Sequence, residues 1–189
     1  MLIKLRYGNT NTFFLRGTKG GLLVDTDYAG TLPAFFRAIK QAGIGIQDIT
    51  YMMATHYHPD HIGLVSELQA LGVRLVVLSP QLPLVHFADD IFARDRRLQY
   101  RPIDEDQARI ITCEESRNFL AGLGIAGEII STPSHSSDSI CVMLDSGECI
   151  VGDLEPQQYL AAYDENPELK EDWERILRFQ PRKIHYGHI

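Results

Sequence analysis

Three histidines and one aspartate fall within a stretch of six residues, as His56-x-His58-x-Asp60-His61. Imidazole nitrogen suits zinc, iron and nickel, and a carboxylate can complete or bridge a metal shell. On extended backbone His56 and His58, two residues apart, point to the same side, whereas Asp60 and His61 fall on the first turn of a helix that Pro59 can start. The motif therefore offers two neighbouring half-sites. Three further candidates each follow a predicted strand: His135 in Thr132-Pro133-Ser134-His135-Ser136, Asp153 in Gly152-Asp153, and His188 in Gly187-His188. Alone each is a weak signal. Gathered at one edge of the sheets, they add three more donors to the first cluster.

The elements that must deliver these residues are readable from periodicity. Alternation predicts a strand over Met1–Tyr7, with Ile3, Leu5 and Tyr7 on one face, then a hairpin of Thr12–Arg16 and Gly21–Asp25 around Gly17-Thr18-Lys19-Gly20, whose glycines suit positive φ. Leu32, Phe35, Phe36 and Ile39 mark an amphipathic helix with Thr31 placed to cap it and Gly43 to end it. Ile49–Thr55 reads as a buried strand running straight into the histidine motif. One helix from Pro59 to Gly72 follows, carrying Leu64, Leu68 and Leu71, and then a strand at Arg74–Leu78. The segment 79–123 is less regular, with helices expected around Ala88–Gln99 and Glu114–Ala121, and reads as a lid or side wall. Strands resume at Glu128–Ser131, Ser139–Leu144 and Glu148–Val151, the last two joined at Asp145-Ser146-Gly147. A final helix capped by Asn166, with Leu169, Trp173, Ile176 and Leu177 as its stripe, precedes a last strand at Lys183–Tyr186.

With 189 residues, 44% hydrophobic and 23% charged, the chain can bury a sizeable core and is expected to form one domain over residues 1–189. Eighteen Lys and Arg against 25 Asp and Glu leave a formal charge of −7, which argues against nucleic acid or anionic membrane as a partner and favours a small-molecule substrate. Oligomeric state is not legible. Lys4 and Arg6 interrupt the N-terminus where a signal peptide needs its apolar core, and no run is long enough to span a membrane, so a soluble, cytoplasmic protein is expected. Cys113, Cys141 and Cys149 are odd in number and unpaired by spacing; they read as buried thiols in a reducing compartment.

In their order along the chain, Leu22-Leu23-Val24-Asp25-Thr26, the Thr55–His61 motif, the His135 loop, Gly152-Asp153 and Gly187-His188 resemble the metallo-β-lactamase superfamily of metal-dependent hydrolases. The resemblance covers nearly the whole chain and is far more specific for superfamily than for substrate. It implies an α+β fold, a four-layered αβ/βα sandwich with helices outside two packed sheets and metals along one edge. It further implies that His56, His58 and His135 hold a first metal, Asp60, His61 and His188 a second, and that Asp153 bridges them. Two divalent ions are expected, zinc foremost, with iron or manganese as alternatives. Metal coordination brings the pKa of water from about 15.7 towards ~7, so a hydroxide generated there would attack a small ester, thioester, lactone, amide or phosphoester. Asp60 would orient it and pass a proton. Asp25 is a candidate anchor behind the metal loop.

Departures from the family pattern sharpen the expectation. Ser134 stands before His135 where many members have Gly, and is expected to take angles that glycine adopts more easily. The chain ends at Ile189, one residue past His188, where members usually continue; either the lineage is compact or the chain is truncated, and the terminal carboxylate is expected close to the second metal. The di-iron flavoprotein branch has Glu at the position of His58 and an attached flavin domain, and the family's RNA-processing nucleases have a large inserted domain; neither matches. A second reading is an oxidoreductase resembling the thiol persulfide dioxygenases, which keep similar ligands around a single iron. A third is a metal-stabilised binding protein without turnover. Arg94, Arg96, Arg97 and Arg101 could serve an anionic group, although the interleaved Asp89, Asp90, Asp95, Asp104 and Asp106 favour a solvated ion-pair face. Phe87, Ile91, Phe92 and Leu98 could cover the pocket or simply pack. Tyr159 and Tyr163 could donate to a developing oxyanion. His86 and His185 read as structural.

Overall fold

The computed structural model describes residues 1–162 and 166–188; Tyr163 and the terminal carboxylate of Ile189 lie outside them. Among the described residues, ten strands form two sheets. The first runs in sequence order, β1 (Leu2–Arg6), β2 (Asn11–Arg16), β3 (Gly21–Val24), β4 (Ile49–Met53), β5 (Arg74–Leu78) and β6 (Arg109–Ile111). The second is ordered β10 (Lys183–Tyr186), β9 (Glu148–Gly152), β8 (Ile140–Leu144) and β7 (Gly127–Ser131). The strands β3 to β6 are parallel to one another, as are β9 and β10, and the remaining pairs are antiparallel.

Side-chain alternation along the strands builds three apolar layers. Phe13, Leu22, Val24, Met53, Val76 and Leu78 point towards the second sheet and meet Ile129, Ile140, Val142 and Ile150. Their neighbours Phe14, Leu23, Met52, Leu75 and Val77 face the opposite way, onto α1 (Leu32–Gln41), α3 (Val65–Ala70) and α4 (Asp89–Ala93). On the outer side of the second sheet, Cys141, Met143, Cys149 and Val151 pack against Leu169, Trp173 and Ile176 of α6 (Pro167–Leu177). Strands buried on both faces read as nearly continuous hydrophobic runs, as these do. The result is the expected α+β sandwich of two sheets with helices outside, closed at one side by α5 (Ser116–Leu123), whose Phe119 and Leu120 reach the inter-sheet layer.

Several expectations are corrected. The single helix over 59–72 is two pieces, α2 (Pro59–Ile62) and α3. Backbone at Tyr28–Ala29 passes so close to Gly63 that a Cβ there would lie 2.1 Å from the Ala29 nitrogen, and the Leu64 amide donates to the Thr26 hydroxyl (3.3 Å) rather than continuing the helix. Leu71 is consequently exposed. The 88–99 helix stops at Ala93, followed by a short 3-10 turn in which Asp95 caps the Arg97 amide (3.0 Å). The short strand β6, absent from the periodicity reading, extends the first sheet inside the irregular segment. Thr31 precedes α1 without capping it, its hydroxyl donating instead to the Tyr28 carbonyl at 2.7 Å. Neither Gly17 nor Gly20 takes a positive φ, and neither does Ser134. Cys141 and Cys149 are buried as expected, while Cys113 is half-buried. No helix among the described residues is long and apolar enough to cross a membrane.

Candidate metal centre

The ends of β3, β4, β7, β9 and β10 point to one edge of the sandwich, so the loops that follow them deliver Asp25, His56, His135, Asp153 and His188 to a common place. The Thr55–His61 loop adds His58, Asp60 and His61. All seven residues singled out from the sequence as metal-site candidates are brought together there, in three overlapping groups that could hold a metal ion: His56 with His58 and His135; His56 with His61 and Asp153; Asp60 with His61 and His188.

In the first group, His56 Nε2 and His135 Nε2 lie 3.0 Å and 3.2 Å from His58 Nδ1. The tautomer of His56 follows from its neighbours. Thr55 Oγ1 donates its one proton to Asp25 Oδ2 (2.9 Å), so at 3.2 Å it can only accept from His56 Nδ1, which leaves the Nε2 lone pair facing the site. Burial, reinforced by the neighbouring imidazoles, pushes the His56 pKa far below its usual value and lowers that of His135. Nitrogen lone pairs converging at this range in a site that disfavours protons are a natural cation seat.

The second group is set in the same way. His61 Nδ1 faces Asp25 Oδ2 at 3.0 Å, and His188 Nδ1 faces the Asn9 carbonyl at 3.3 Å, turning both Nε2 atoms towards the carboxylates. His188 Nε2 lies 3.1 Å from Asp60 Oδ2 and 3.1 Å from Asp153 Oδ2. Asp153 Oδ1 is 3.3 Å from His61 Nε2, and Oδ2 is 3.9 Å from both His56 and His135, so this one carboxylate reaches both groups. Both ring nitrogens of His61 and Asp153 Oδ1 are buried with no hydrogen-bond partner, the Nδ1 held by its close charge contact with Asp25, an arrangement that costs stability unless something fills it. Five imidazoles, two carboxylates and orphaned polar atoms aimed at one another fit a pair of divalent metals. Burial opposes charge on both His61 and Asp153. For His61 the carboxylates of Asp25 and Asp153 outweigh it and carry the pKa up to about 10, while for Asp153 the contacts with His61, His56 and His188 hold it well below the carboxylate range.

The supports include residues that the sequence reading did not reach. Thr10 Oγ1 donates to Asp60 Oδ2 (3.3 Å), so the β1–β2 hairpin carries both Asn9 and Thr10 against the second group. Asp138 accepts from the Tyr57 amide (2.7 Å) and from the Ser136 hydroxyl, joining the histidine motif to the His135 loop. Buried Gln81 donates to the Ala54 carbonyl (2.9 Å) and the Asp138 carbonyl (3.2 Å) and accepts from Leu78. Helix α6 fixes the other side: Asp172 accepts from the Ser134 amide (2.9 Å), and Trp173 Nε1 donates to the Glu155 carbonyl (2.9 Å). Gly152, at φ +58°, leaves no room for a Cβ, which would sit 2.6 Å from Thr55 Oγ1. Asp25 itself is buried at φ 62°, an uncommon conformation for a residue other than glycine, though one that Asp and Asn adopt more readily than most. The expected anchor is thus present, and strained.

The remaining candidates divide. Phe87 stands beside the centre, its ring 5.6 Å from that of His58, whereas Phe92 is wholly in the core and Leu98 packs against it. Arg97 pairs with Asp95 at the surface, and Arg101 lines a separate cavity with Glu67 and Tyr100. His86 pairs with Asp89 (2.9 Å) and His185 with Glu148 (3.1 Å), consistent with structural roles. Tyr159 is half-exposed. A cavity of about 260 Å³ adjoins the centre.

The family model of the metallo-beta-lactamase superfamily matches residues 5–188. The chain belongs to this superfamily. Among curated relatives, the protein named diflavin flavoprotein A 2 from Synechocystis sp. is 28% identical over 171 residues, 87% of this chain and 27% of that protein. The beta-lactamase-like protein 2 homolog of Drosophila melanogaster is 23% identical over 182 residues, 95% of this chain and 58% of that one. The chain therefore spans only part of the length of each. Of solved structures, the metallo-beta-lactamase family protein TTHA1429 from Thermus thermophilus superposes with a TM-score of 0.74 at 19% identity, covering 100% of this chain and 73% of the other. TTHA1623, in a di-iron-bound form, gives 0.72 at 21% identity, covering 100% and 92%. These structural likenesses establish the metallo-β-lactamase fold, and membership of the superfamily supports a metal-dependent, hydrolase-like function.

Proposed function

We propose that this protein is a dinuclear metal-dependent hydrolase of small molecules, with His56, His58 and His135 holding one ion, Asp60, His61 and His188 the other, and Asp153 between them. The observation that carries the reading is Asp153, whose one carboxylate reaches both groups, Oδ1 at 3.3 Å from His61 and Oδ2 at 3.1 Å from His188 and 3.9 Å from His56 and His135. A metal pair held there supplies an acidified water and an electrophile for the attacked carbonyl or phosphoryl oxygen. The chain's own residues do the rest. Asp60, about one third exposed and fixed by Thr10, takes the proton of the attacking water and returns it to the leaving group. The Nδ1 partners Thr55, Asp25 and Asn9 keep three imidazoles turned inward as donors. Zinc is the first ion to test, because imidazole-rich sets with carboxylates suit it, and iron is the second.

Elemental analysis of the purified protein tests the reading together with Asp60→Asn. Two zinc or manganese per chain, and a fall in turnover by about 10²–10⁴-fold in the folded Asp60→Asn variant, are expected. A single iron per chain would replace the hydrolase with the oxygen-activating oxidoreductase reading. Near-normal activity in the variant would remove Asp60 from its role.

A further inference from the structure

We propose that Asp27 is a positioning residue for the second metal group, aiming His188 and steadying Asp60 through the single peptide bond that joins Asn9 to Thr10. The inference rests on the two-ion hydrolase reading and deepens it.

Three observations carry it. The first is a clasp on both ends of one peptide. Its N–H, that of Thr10, donates to Asp27 Oδ2 at 3.3 Å, and its C=O, that of Asn9, faces His188 Nδ1 at 3.3 Å. A trans peptide is planar, with N–H and C=O pointing in opposite directions, so the carboxylate that holds one end sets the direction of the other. An N–H bonded to a carboxylate also makes its own carbonyl a stronger acceptor. A firmly held Nδ1–H in turn directs His188 Nε2 towards Asp60 and Asp153, each 3.1 Å away. The Thr10 side chain extends the same hold, its hydroxyl donating to Asp60 Oδ2 at 3.3 Å.

The second observation is that the loop between β1 and β2 has no hold of its own. Among the described residues, 7–10 form no backbone hydrogen bond with one another, and the loop is tied at its far end, where the Asn11 amide donates to the Gly187 carbonyl (2.6 Å). Gly8 lets it settle directly on Asp27, since a Cβ there would collide with the carboxylate. The third is Asp27 itself. It is 3% exposed, and among the described residues its carboxylate is met by two amides, Thr10 on Oδ2 and Tyr28 on Oδ1 (2.6 Å), rather than by a cation. A buried carboxylate is costly to desolvate, and what it gains is charge-assisted bonds that fix the groups donating them. Asp27 completes a pattern in the strip that leaves β3. Asp25 faces His61 Nδ1 (3.0 Å), the Thr26 amide donates to the His61 carbonyl (2.9 Å), and Asp27 reaches the other two members of the group through the loop.

Zinc titration against a competing chelator tests the proposal without turnover, and hydrolysis of p-nitrophenyl acetate and bis(p-nitrophenyl) phosphate reports the reading on which it rests. In Asp27→Ala the second equivalent should bind about tenfold more weakly with the first unaffected, and Asp27→Asn, which keeps one acceptor oxygen, should fall between it and wild type. In His188→Ala the peptide has no imidazole left to aim, so adding Asp27→Ala should weaken the second equivalent by well under a further tenfold. Full multiplication of the two losses would show that Asp27 acts elsewhere and overturn the proposal. An unchanged second equivalent in Asp27→Ala, or equal weakening of both, also overturns it and leaves the hydrolase reading intact. Selective weakening in a protein that cleaves neither ester counts against the hydrolase reading and leaves the proposal standing. A wild type that takes up one equivalent only overturns both. If Asp27→Ala does not fold, Asp27→Asn carries the comparison by the same criteria.

Discussion

His61 and Asp25 face each other at 3.0 Å with both side chains shut off from solvent. The pair fixes the pH response of the metal-free protein. Burial alone would lower His61, but Asp25 and Asp153 raise it to about 10, so between roughly pH 6.5 and 10 the native state holds a proton that the unfolded chain has lost. Stability from this group is full below pH 6.5 and is lost as pH rises through 10. His56 works in the opposite sense: burial lowers it, so stability is lost as pH falls below about 6.5, where the unfolded chain takes up the proton. The metal-free protein should therefore show a Tm maximum near pH 6–7, with decline on both sides. In Asp25→Asn the alkaline decline should flatten. An unchanged alkaline limb would show that the contact does not set the charge of His61.

Thr10 reaches Asp60 across 50 residues of chain, and with Asn9 it makes the β1–β2 hairpin a support of the second group. Thr10→Val keeps the shape and removes the donor. Partners of this kind are worth about 10–100-fold in metal affinity, so the second equivalent of metal should bind about tenfold more weakly while the first is unaffected. Titration against a competing chelator checks it, and equal loss of both equivalents would point to general damage.

Much of this centre was legible before any coordinates because its chemistry is concentrated in few residues of distinctive type. His56, His58, Asp60 and His61 sit in one short motif, and His135, Asp153 and His188 each follow a segment that reads as a strand. Strands such as β4 and β5 were legible because burial on both faces leaves little but hydrophobic residues. Thr10, Gln81, Asp138 and Asp172 were not, since a lone Thr or Gln carries no periodic signal and acquires its role from long-range packing. The 59–72 break was hidden for the same reason: the apolar spacing is helical throughout, and the interruption comes from the Tyr28–Ala29 backbone pressing on Gly63. The Gly17–Gly20 loop misled because glycine there meets no positive-φ demand.

Gln81 shows how the site draws on the core. Fully buried, it donates to the carbonyls of Ala54 and Asp138 and accepts from Leu78, tying β4, β5 and the His135 loop at one point. Gln81→Leu is similar in size but leaves three buried backbone groups unpaired. At about 1–3 kcal/mol for each unsatisfied group, partly relieved by relaxation, a loss of about 3 kcal/mol is expected in chemical denaturation. Gln81→Glu restores the acceptor alone and should recover little. A loss under 1 kcal/mol in Gln81→Leu would show that water replaces the amide.

His188 lies 3.1 Å from Asp60 and 3.1 Å from Asp153 and groups with Asp60 and His61 rather than with His56 and His58. Removing it should therefore separate the two metals. In His188→Ala the first equivalent should persist, held by His56, His58 and His135, and the second should weaken by at least ~10-fold. Turnover should fall with the second equivalent rather than with the first, because Asp60 belongs to that group. Its recovery at high metal concentration would tie the defect to occupancy, since mass action refills a weakened site. Retention of both equivalents at wild-type affinity would remove His188 from the ligand set and leave Asp60, His61 and Asp153 to hold the second ion alone.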